Sequence, residues 1–193
     1  MVHTVLWETL YKAGVSAKLI KVLMSLYNNA LMRVRLPGNI LSKIFDVTES
    51  LLQGDPISPF LFAVFIYDMN DFFISECHRN IEKDIDILLF ADDLIILAKD
   101  AMDLQSKLDT LNKYCKLKRL TVNIDKTKII KFQKAGRQKK EKAFRYDSFP
   151  IETVTHYTYH GVIFSSSGNF TTNAEYALYP SSTIVYYTTR PVK

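Results

Sequence analysis

The sequence predicts an α+β fold in which an antiparallel sheet is backed by helices. Residues 85–98 and 153–164 carry the apolar patterns of strand pairs. Helical apolar spacing follows two candidate N-caps, Ser16 and Asp100. The chain of 193 residues is 48% hydrophobic and 23% charged, a balance typical of globular domains that excludes disorder along its whole length.

The first half of the chain predicts two helices and a strand pair. Residues 5–13 suit a short helix that stops near Gly14, and Ser16 suits the N-cap of a second helix. Residues 31–36 and 44–48 alternate as strands do, and a Pro-Gly-Asn turn signal lies between them. The first half of the chain is therefore predicted to contain both helices and strands, as an α+β fold requires.

A third helix is predicted from Ser58-Pro59, which suits an N-cap followed by proline at the first helical position. The pattern continues to about Phe73 and is apolar nearly all round. Such a helix is expected to be buried.

The second half begins with two apolar strands within 85–98, joined at Ala91-Asp92-Asp93. Asp100 then caps a helix with one apolar face, formed by Leu104, Leu108, Leu111 and Cys115. Further extended segments are predicted at 120–124, at 128–132 and at 153–164, with a turn near His160-Gly161. Beyond Gly168 the pattern weakens, and we assign no element there.

Composition excludes several protein classes. Cys77 and Cys115 lack the spacing of a disulfide framework or a zinc site, which suits a reducing compartment. Glu8 and Lys12 interrupt the one apolar stretch that could form a secretory signal. The apolar run 57–67 is too short to cross a bilayer. We therefore expect an intracellular protein of the nucleus or cytoplasm, neither secreted nor bound to a membrane.

Positive charge is concentrated in one segment. Residues 126–145 hold nine Lys or Arg against one acid, Glu141, so this segment carries +8 while the whole chain carries +5. A concentrated basic segment favours a polyanion such as nucleic acid. A solvated basic loop would have the same composition, and the charge pattern alone does not separate the two.

Asp92 and Asp93 are the candidate metal ligands. Hairpin turns favour Asn-Gly or Asp-Gly, yet here two like charges lie together between apolar strands. A divalent ion such as Mg²⁺ compensates that repulsion, because it prefers hard oxygen ligands. The alternative is an exposed acidic turn on a surface hairpin. The long apolar strands on both sides favour the metal site.

Four motifs occur in a fixed order along the chain. They are Gln53-Gly54-Asp55-Pro56-Ile57-Ser58-Pro59, Phe90-Ala91-Asp92-Asp93, Leu120–Asn123 with Lys126-Thr127-Lys128, and Tyr157-Thr158-Tyr159-His160-Gly161-Val162. Together they resemble the reverse transcriptase domain of non-LTR (LINE-type) retrotransposons, and Phe90-Ala91-Asp92-Asp93 resembles the catalytic hairpin of that family. The resemblance covers about residues 3–170. It implies the palm of a right-hand polymerase, RNA-directed DNA polymerase activity with Mg²⁺ or Mn²⁺, and an RNA template, a DNA primer and dNTP as partners.

The same resemblance assigns roles to residues. Asp92 and Asp93 match the metal-binding pair, while Gln53, Gly54 and Phe90 match positions near template, nucleotide and primer end. Lys126 and Lys128 match the segment that places a cation near the pyrophosphate. Tyr157, Tyr159 and Gly161 match the hairpin that grips the primer. Simpler alternatives remain open: a helix-entry turn at Gly54, solvated lysines, and a half-buried strand for the tyrosines.

Departures from the family pattern set further expectations. The strand with the first catalytic aspartate, and the fingers before it, are expected upstream of Met1. We therefore expect a partial palm domain over 1–170, a degenerate tail over 171–193, and an open strand edge at 85–90 or 94–98. His160 replaces a usual leucine and receives no role. Three hypotheses follow: a polymerase fragment inactive by itself, a retrotransposon remnant that binds nucleic acid without catalysis, and an unrelated scaffold.

Overall fold

A computed structural model describes residues 2–46, 51, 55–77, 87–132, 143–160, 162–168 and 184–188. The chain divides into two compact units, Met1–Tyr67 and Asp68–Lys193. None of the described helices is both long enough and apolar enough to cross a membrane.

The first unit packs helices together beside short antiparallel strand pairs. Strand β1 pairs with β4, and β2 pairs with β3 across the Pro-Gly-Asn turn. The elements in chain order are α1 (His3–Lys12), α2 (Ala17–Asn28), β1 (Leu31–Met32), β2 (Arg35–Leu36), β3 (Ile40–Leu41), β4 (Phe45–Asp46) and α3 (Ser58–Phe65). The two helices predicted at 5–13 and after Ser16 are confirmed. The predicted pairing of 31–36 with 44–48 is confirmed for β1 and β4, and residues 47 and 48 lie outside the described residues.

Local sequence signals explain the helices of this unit. The Ser16 hydroxyl accepts a hydrogen bond from the Leu19 amide at 3.3 Å, which confirms the predicted N-cap. The buried apolar residues come from all three helices: Leu6, Leu10, Ile20, Leu23, Tyr27, Leu61 and Phe65. The core of the unit is therefore built between helix faces.

The third helix differs from its prediction. It ends at Phe65 instead of continuing to about Phe73, and a new helix starts at Met69. Ile57 occupies the N-cap position in place of Ser58. The Ser58 hydroxyl contacts the Tyr27 hydroxyl (3.2 Å) and the Asp55 carboxylate (3.4 Å). The helix is also not buried all round, since Phe60 is 65% exposed.

The second unit contains the largest sheet among the described residues. Its strand order is β10-β7-β13-β6-β5, and separate hairpins pair β8 with β9 and β11 with β12. The elements in chain order are α4 (Met69–Cys77), β5 (Ile87–Phe90), β6 (Asp93–Ala98), α5 (Ala101–Lys118), β7 (Lys128–Phe132), β8 (Arg145–Tyr146), β9 (Phe149–Pro150), β10 (Glu152–Val154), β11 (His156–Tyr159), β12 (Val162–Ser165) and β13 (Ile184–Thr188).

This sheet corrects the expectation of an antiparallel sheet. Strands β5 and β6 are antiparallel, but β6–β13, β13–β7 and β7–β10 are parallel. For β6 and β7 the reason is the long helix α5, which connects them and returns the chain so that both strands run in the same direction. Strand β13 lies between them, in a part of the sequence where no element was assigned.

The pairing also decides which predicted strand edge is open. Among the described strands, β6 has a neighbour on both sides, whereas β5 has one neighbour and forms an edge of this sheet. The edge expected at 94–98 is therefore covered by β13. Residues 85 and 86 of the other expected edge lie outside the described residues.

Helix α5 follows its sequence prediction closely. The Asp100 carboxylate accepts a hydrogen bond from the Asp103 amide at 2.8 Å, which confirms the N-cap. The predicted apolar face is buried: Leu104, Leu108, Leu111 and Cys115. Residues 120–124 form no strand, in contrast to the prediction. The Thr127 side chain instead donates to the Asn123 carbonyl at 2.7 Å, which closes a turn.

The Cys115 thiol should resist alkylation while the protein is folded. Cys115 is 4% exposed, and burial raises the pKa of its thiol more than a hydrogen bond with Tyr146 lowers it. At about pH 8 the native thiol should therefore carry little of the reactive thiolate. Site-resolved mass spectrometry after iodoacetamide treatment would test this. Labelling in guanidinium serves as the control, and native labelling at the denatured rate would contradict the prediction.

Candidate active site

The aspartate pair lies at the turn of the β5–β6 hairpin. Phe90 pairs with Asp93 across the turn, so Ala91 and Asp92 form a two-residue loop. Ala91 adopts a positive φ of 52°, a conformation that favours glycine. The sequence thus forms a tight turn without the usual residues, and the turn places two carboxylates side by side.

The two carboxylates have different surroundings. Asp92 is exposed, whereas Asp93 begins strand β6 and is only 2% exposed. Side chains alternate along a strand, so Asp93 points to the same sheet face as Ile95 and Leu97. That face is covered by the β11–β12 hairpin through Tyr157, Tyr159 and Phe164, which pack around Ile95. Asp93 is therefore a buried charge beside an accessible one.

The hairpin β11–β12 brings the predicted primer-grip residues to this face. Tyr157 and Tyr159 are half-buried and belong to the same apolar cluster as Ile95 and Ile130. The Tyr157 hydroxyl donates to the Lys126 carbonyl at 3.2 Å. This packing fits the alternative of a half-buried strand and also fixes the hairpin next to Asp93.

His160 lies at the turn of that hairpin and contacts the buried carboxylate. Its Nε2 is 3.3 Å from the Asp93 Oδ2, and the side chains are 37% and 3% exposed. The imidazole also packs edge-on against Phe90, with ring centroids 4.6 Å apart. His160 thus joins the tip of one hairpin to the tip of the other.

The electrostatic effect of Asp93 extends to Tyr159. Burial raises the pKa of the Tyr159 hydroxyl, and the negative charge of Asp93 raises it further. A phenol loses its proton less readily beside a negative charge in a poorly solvated place. Tyr159 therefore stays neutral next to the carboxylate.

Lys126 and Lys128, the predicted catalytic cations, occupy different environments. The Lys126 amide donates to the Asn123 side chain at 3.2 Å, and its own side chain is exposed. The Lys128 ammonium lies 2.7 Å from the Glu152 carboxylate on the neighbouring strand β10. Lys126 is thus accessible to a ligand, while Lys128 is engaged in an ion pair.

The remaining predicted positions are placed only in part. Phe90 is 62% exposed at the hairpin tip. Gln53, Gly54 and Gly161 lie outside the described residues, as do residues 133–142 of the basic segment. Next to the first two, Asp55 accepts hydrogen bonds from the Ile57 amide (3.2 Å) and from the hydroxyl of Tyr27 (3.5 Å).

The donor atoms at the hairpin tips fit a divalent ion in chemical type. Asp92 and Asp93 supply hard oxygen atoms, and His160 supplies a nitrogen atom. Among the described residues, no three His, Cys, Asp or Glu side chains gather into a complete metal-binding group. An ion here would take its other ligands from water or substrate phosphates, as Mg²⁺ commonly does.

His160 is the site residue that sequence reasoning missed. It is separated from Asp93 by 67 positions, and its histidine spacing indicates no metal site. The available signal was its place in a predicted turn, since both Ala91-Asp92 and His160-Gly161 join strand pairs. The apolar patterns of the strands predict where such turns occur, but they do not predict which turns contact each other in the folded protein.

Comparisons with known proteins agree on one family. The family described as "Reverse transcriptase (RNA-dependent DNA polymerase)" matches residues 2–164. The chain is similar to the "Retrovirus-related Pol polyprotein from type-1 retrotransposable element R2" of Bradysia coprophila, with 23% identity over 86% of this chain and 20% of that protein. A protein of the same description from Popillia japonica is 25% identical over 86% of this chain and 29% of its own length. No solved structure matches the chain.

Proposed function

Because the chain belongs to the reverse transcriptase (RNA-dependent DNA polymerase) family, we propose that it forms part of the active site of RNA-templated DNA synthesis. The chain spans less than a third of the two relatives described above, so the proposal concerns the segment that carries the aspartate hairpin. In the proposed reaction a primer 3′-hydroxyl attacks the α-phosphate of a dNTP on an RNA template, and pyrophosphate leaves.

The observation that carries this proposal is that a buried carboxylate, Asp93, lies directly next to an exposed one, Asp92, at a hairpin turn. A buried carboxylate is fixed in direction by its surroundings, and an exposed neighbour can complete the binding of an ion from solvent. Mg²⁺ or Mn²⁺, when bound, would activate the hydroxyl and stabilise charge on the phosphates.

Other residues of the chain are proposed to hold the substrates. The exposed ring of Phe90 stands at the hairpin tip, where it can lie against the primer end. The exposed Lys126 can reach a phosphate, whereas Lys128 would first have to leave Glu152. Tyr157 and Tyr159 hold the β11–β12 hairpin against the sheet, and this hairpin is proposed to support the primer. Gln53, Gly54 and Gly161 remain proposed contacts from the family motifs.

Binding of nucleic acid without catalysis is a second candidate function. It is favoured by the +8 charge of residues 126–145, which needs no metal ion to attract a phosphate backbone. The hydrogen bond from Tyr157 to the Lys126 carbonyl ties the start of this segment to the β11–β12 hairpin. The two functions therefore predict binding at the same surface and differ in whether a primer is extended.

Primer extension on an RNA template with Mg²⁺ or Mn²⁺ separates the two candidates. For this chain by itself we expect binding without extension, because two-metal transfer needs ligands for a second ion and the described residues bring only two carboxylates to the hairpin. Without the second ion, the transition state loses several kcal/mol of electrostatic stabilisation. Each loss of about 1.4 kcal/mol slows the reaction about tenfold.

The matched control is Asp93→Asn, which keeps the shape of the side chain and removes its charge. Extension by the wild-type chain that Asp93→Asn abolishes would contradict the expectation and establish the chain as an enzyme. Equal extension by both would assign the activity to a contaminant.

A further inference from the structure

Lys126, the exposed lysine proposed to reach a phosphate, belongs to a turn that its own neighbours close. The Thr127 amide donates to the Asn123 carbonyl at 3.0 Å, and the Thr127 hydroxyl donates to the same carbonyl at 2.7 Å. The Asn123 side-chain oxygen accepts a hydrogen bond from the Lys126 amide at 3.2 Å. Thr127 is only 2% exposed, so the turn is fixed on its inner side. The backbone N–H of Lys126 is therefore held by a local side chain, as asparagine commonly does in turns.

Tyr157 holds the other backbone polar group of Lys126 from a distant part of the chain. Its hydroxyl donates to the Lys126 carbonyl at 3.2 Å, across 31 positions of sequence. The Tyr157 ring packs against the cluster formed by Ile95 and Ile130, and the strand that carries it pairs with β12 at all four residues, His156–Tyr159. A hydroxyl on such a packed ring has little freedom to move. Both polar groups of the Lys126 backbone are therefore fixed.

The ammonium group of Lys126 is accessible, in contrast to its fixed backbone. The side chain is exposed, and none of the described residues forms an ion pair with it. The Lys128 ammonium, two positions on, is engaged by the Glu152 carboxylate at 2.7 Å. A cation on a fixed backbone loses less conformational entropy when it binds a ligand than one on a mobile segment. Lys126 is thus both available to a phosphate and prepared to bind it.

We infer that Asn123 and Tyr157 are positioning residues that direct Lys126 toward a bound phosphate. The inference rests on the proposed function in one respect, that Lys126 binds a phosphate of a substrate. It adds two residues that act through Lys126, and it gives the Tyr157 hydroxyl a role besides the packing of its hairpin. Both a nucleic-acid backbone and a triphosphate offer such a phosphate, so the test uses a probe for each.

The test measures how the full chain and its variants bind a labelled single-stranded RNA, by fluorescence anisotropy, and inorganic triphosphate, by calorimetry. Tyr157→Phe keeps the packed ring and removes the hydroxyl. Asn123→Ala removes the acceptor of the Lys126 amide, whereas Asn123→Ser restores a weaker one. Lys126→Gln removes the charge itself. Tyr11→Phe is the matched control, because it removes the hydroxyl of a tyrosine that is 71% exposed elsewhere in the chain. Circular dichroism checks that each variant is folded.

We expect Lys126→Gln to weaken the binding of at least one probe about two- to fivefold, the range of one exposed ion pair. The probe that responds identifies the source of the phosphate. Tyr157→Phe and Asn123→Ala should each weaken the same probe about twofold, Asn123→Ser should weaken it less, and Tyr11→Phe should leave it unchanged. In the Lys126→Gln background, Tyr157→Phe and Asn123→Ala should have no further effect, because they act through the ammonium.

A second measurement uses the wild-type chain and tests whether the backbone of Lys126 is fixed. The order parameter of its amide, from NMR relaxation, should lie near the value of rigid backbone, about 0.85, and should fall in Tyr157→Phe. A wild-type value below about 0.6 would overturn the inference even if a variant failed to fold.

Three binding results would also overturn the inference, and they separate it from the proposed function. If Lys126→Gln weakens binding while Tyr157→Phe and Asn123→Ala do not, the positioning role is absent and the phosphate role of Lys126 stands. If Tyr157→Phe and Asn123→Ala weaken binding equally with and without the Lys126 charge, their effect is only structural. If Lys126→Gln changes the affinity for neither probe, the proposed phosphate role of Lys126 fails and the inference fails with it.

Discussion

The affinity of this chain for single-stranded RNA should fall by a factor of roughly 2,000 between about 50 and 200 mM salt, as expected for about eight phosphate contacts. Residues 126–145 carry a net charge of +8. Phosphate contacts release condensed counterions, and the free energy gained from that release becomes smaller as the salt concentration rises. Each contact to a single strand contributes about 0.7 to the slope of log affinity against log salt. Fluorescence anisotropy of a labelled oligonucleotide would measure that slope.

Two triple variants that remove the same positive charge from different places test where the RNA binds. Replacing Lys139, Lys140 and Lys142 by glutamine should lower the slope by about 2, because three contacts are lost. Replacing Lys12, Lys18 and Lys21, which are exposed on the first unit, removes the same charge elsewhere and should leave the slope nearly unchanged. An affinity independent of salt, or an equal response of both triple variants, would contradict binding through the basic segment.

Replacing Asp103 by asparagine should destabilise the second unit by about 3–5 kcal/mol. Lys107 is 1% exposed, and its ammonium lies 3.5 Å from the Asp103 carboxylate while it also donates to the Leu97 carbonyl of β6. The Asp103 carboxylate in turn accepts from the Lys99 amide at 2.9 Å. The variant keeps this shape but removes the negative charge, so the buried Lys107 ammonium loses the charge of this carboxylate.

Urea unfolding followed by circular dichroism would measure this loss. The double variant Asp103→Asn with Lys107→Met should recover much of the stability, because it removes the buried charge itself. Asp109→Asn on the exposed side of the same helix is the matched control and should change stability by less than about 0.5 kcal/mol. A loss below about 1 kcal/mol for Asp103→Asn would show that water reaches the Lys107 ammonium in the folded protein.

Short-range features of this protein could be predicted from its sequence. The caps at Ser16 and Asp100, the apolar face of α5 and the aspartate turn were predicted from neighbouring residues and are confirmed. The family was predicted from four ordered motifs and is confirmed by the match over residues 2–164. These features depend on hydrogen bonds, side-chain periodicity and motif order within a few turns or strands of chain.

Packing over long distances decided other features. The break between α3 and α4 and the contact of Ser58 with Tyr27 depend on which surfaces meet, and a continuous apolar pattern does not encode that choice. The parallel strand β13 pairs with β6, whose residues lie 89 positions earlier in the chain, as in the pair of Ile184 with Ile95. Strand pairing over such a separation leaves no periodic signal.

The candidate site also has features that the sequence predicted and features that depend on long-range packing. The sequence by itself determined that Asp92 and Asp93 lie together at a turn, because they are adjacent and stand between two segments that are predicted to be strands. Only the tertiary structure decided that Asp93 is buried, that Lys128 pairs with Glu152, and that His160 reaches Asp93. These three facts depend on the β11–β12 hairpin, which packs against the sheet, and on β10, which pairs with β7 within the sheet. The burial of Asp93 and the two contacts involve residues that are far apart in the chain and meet only in the folded sheet.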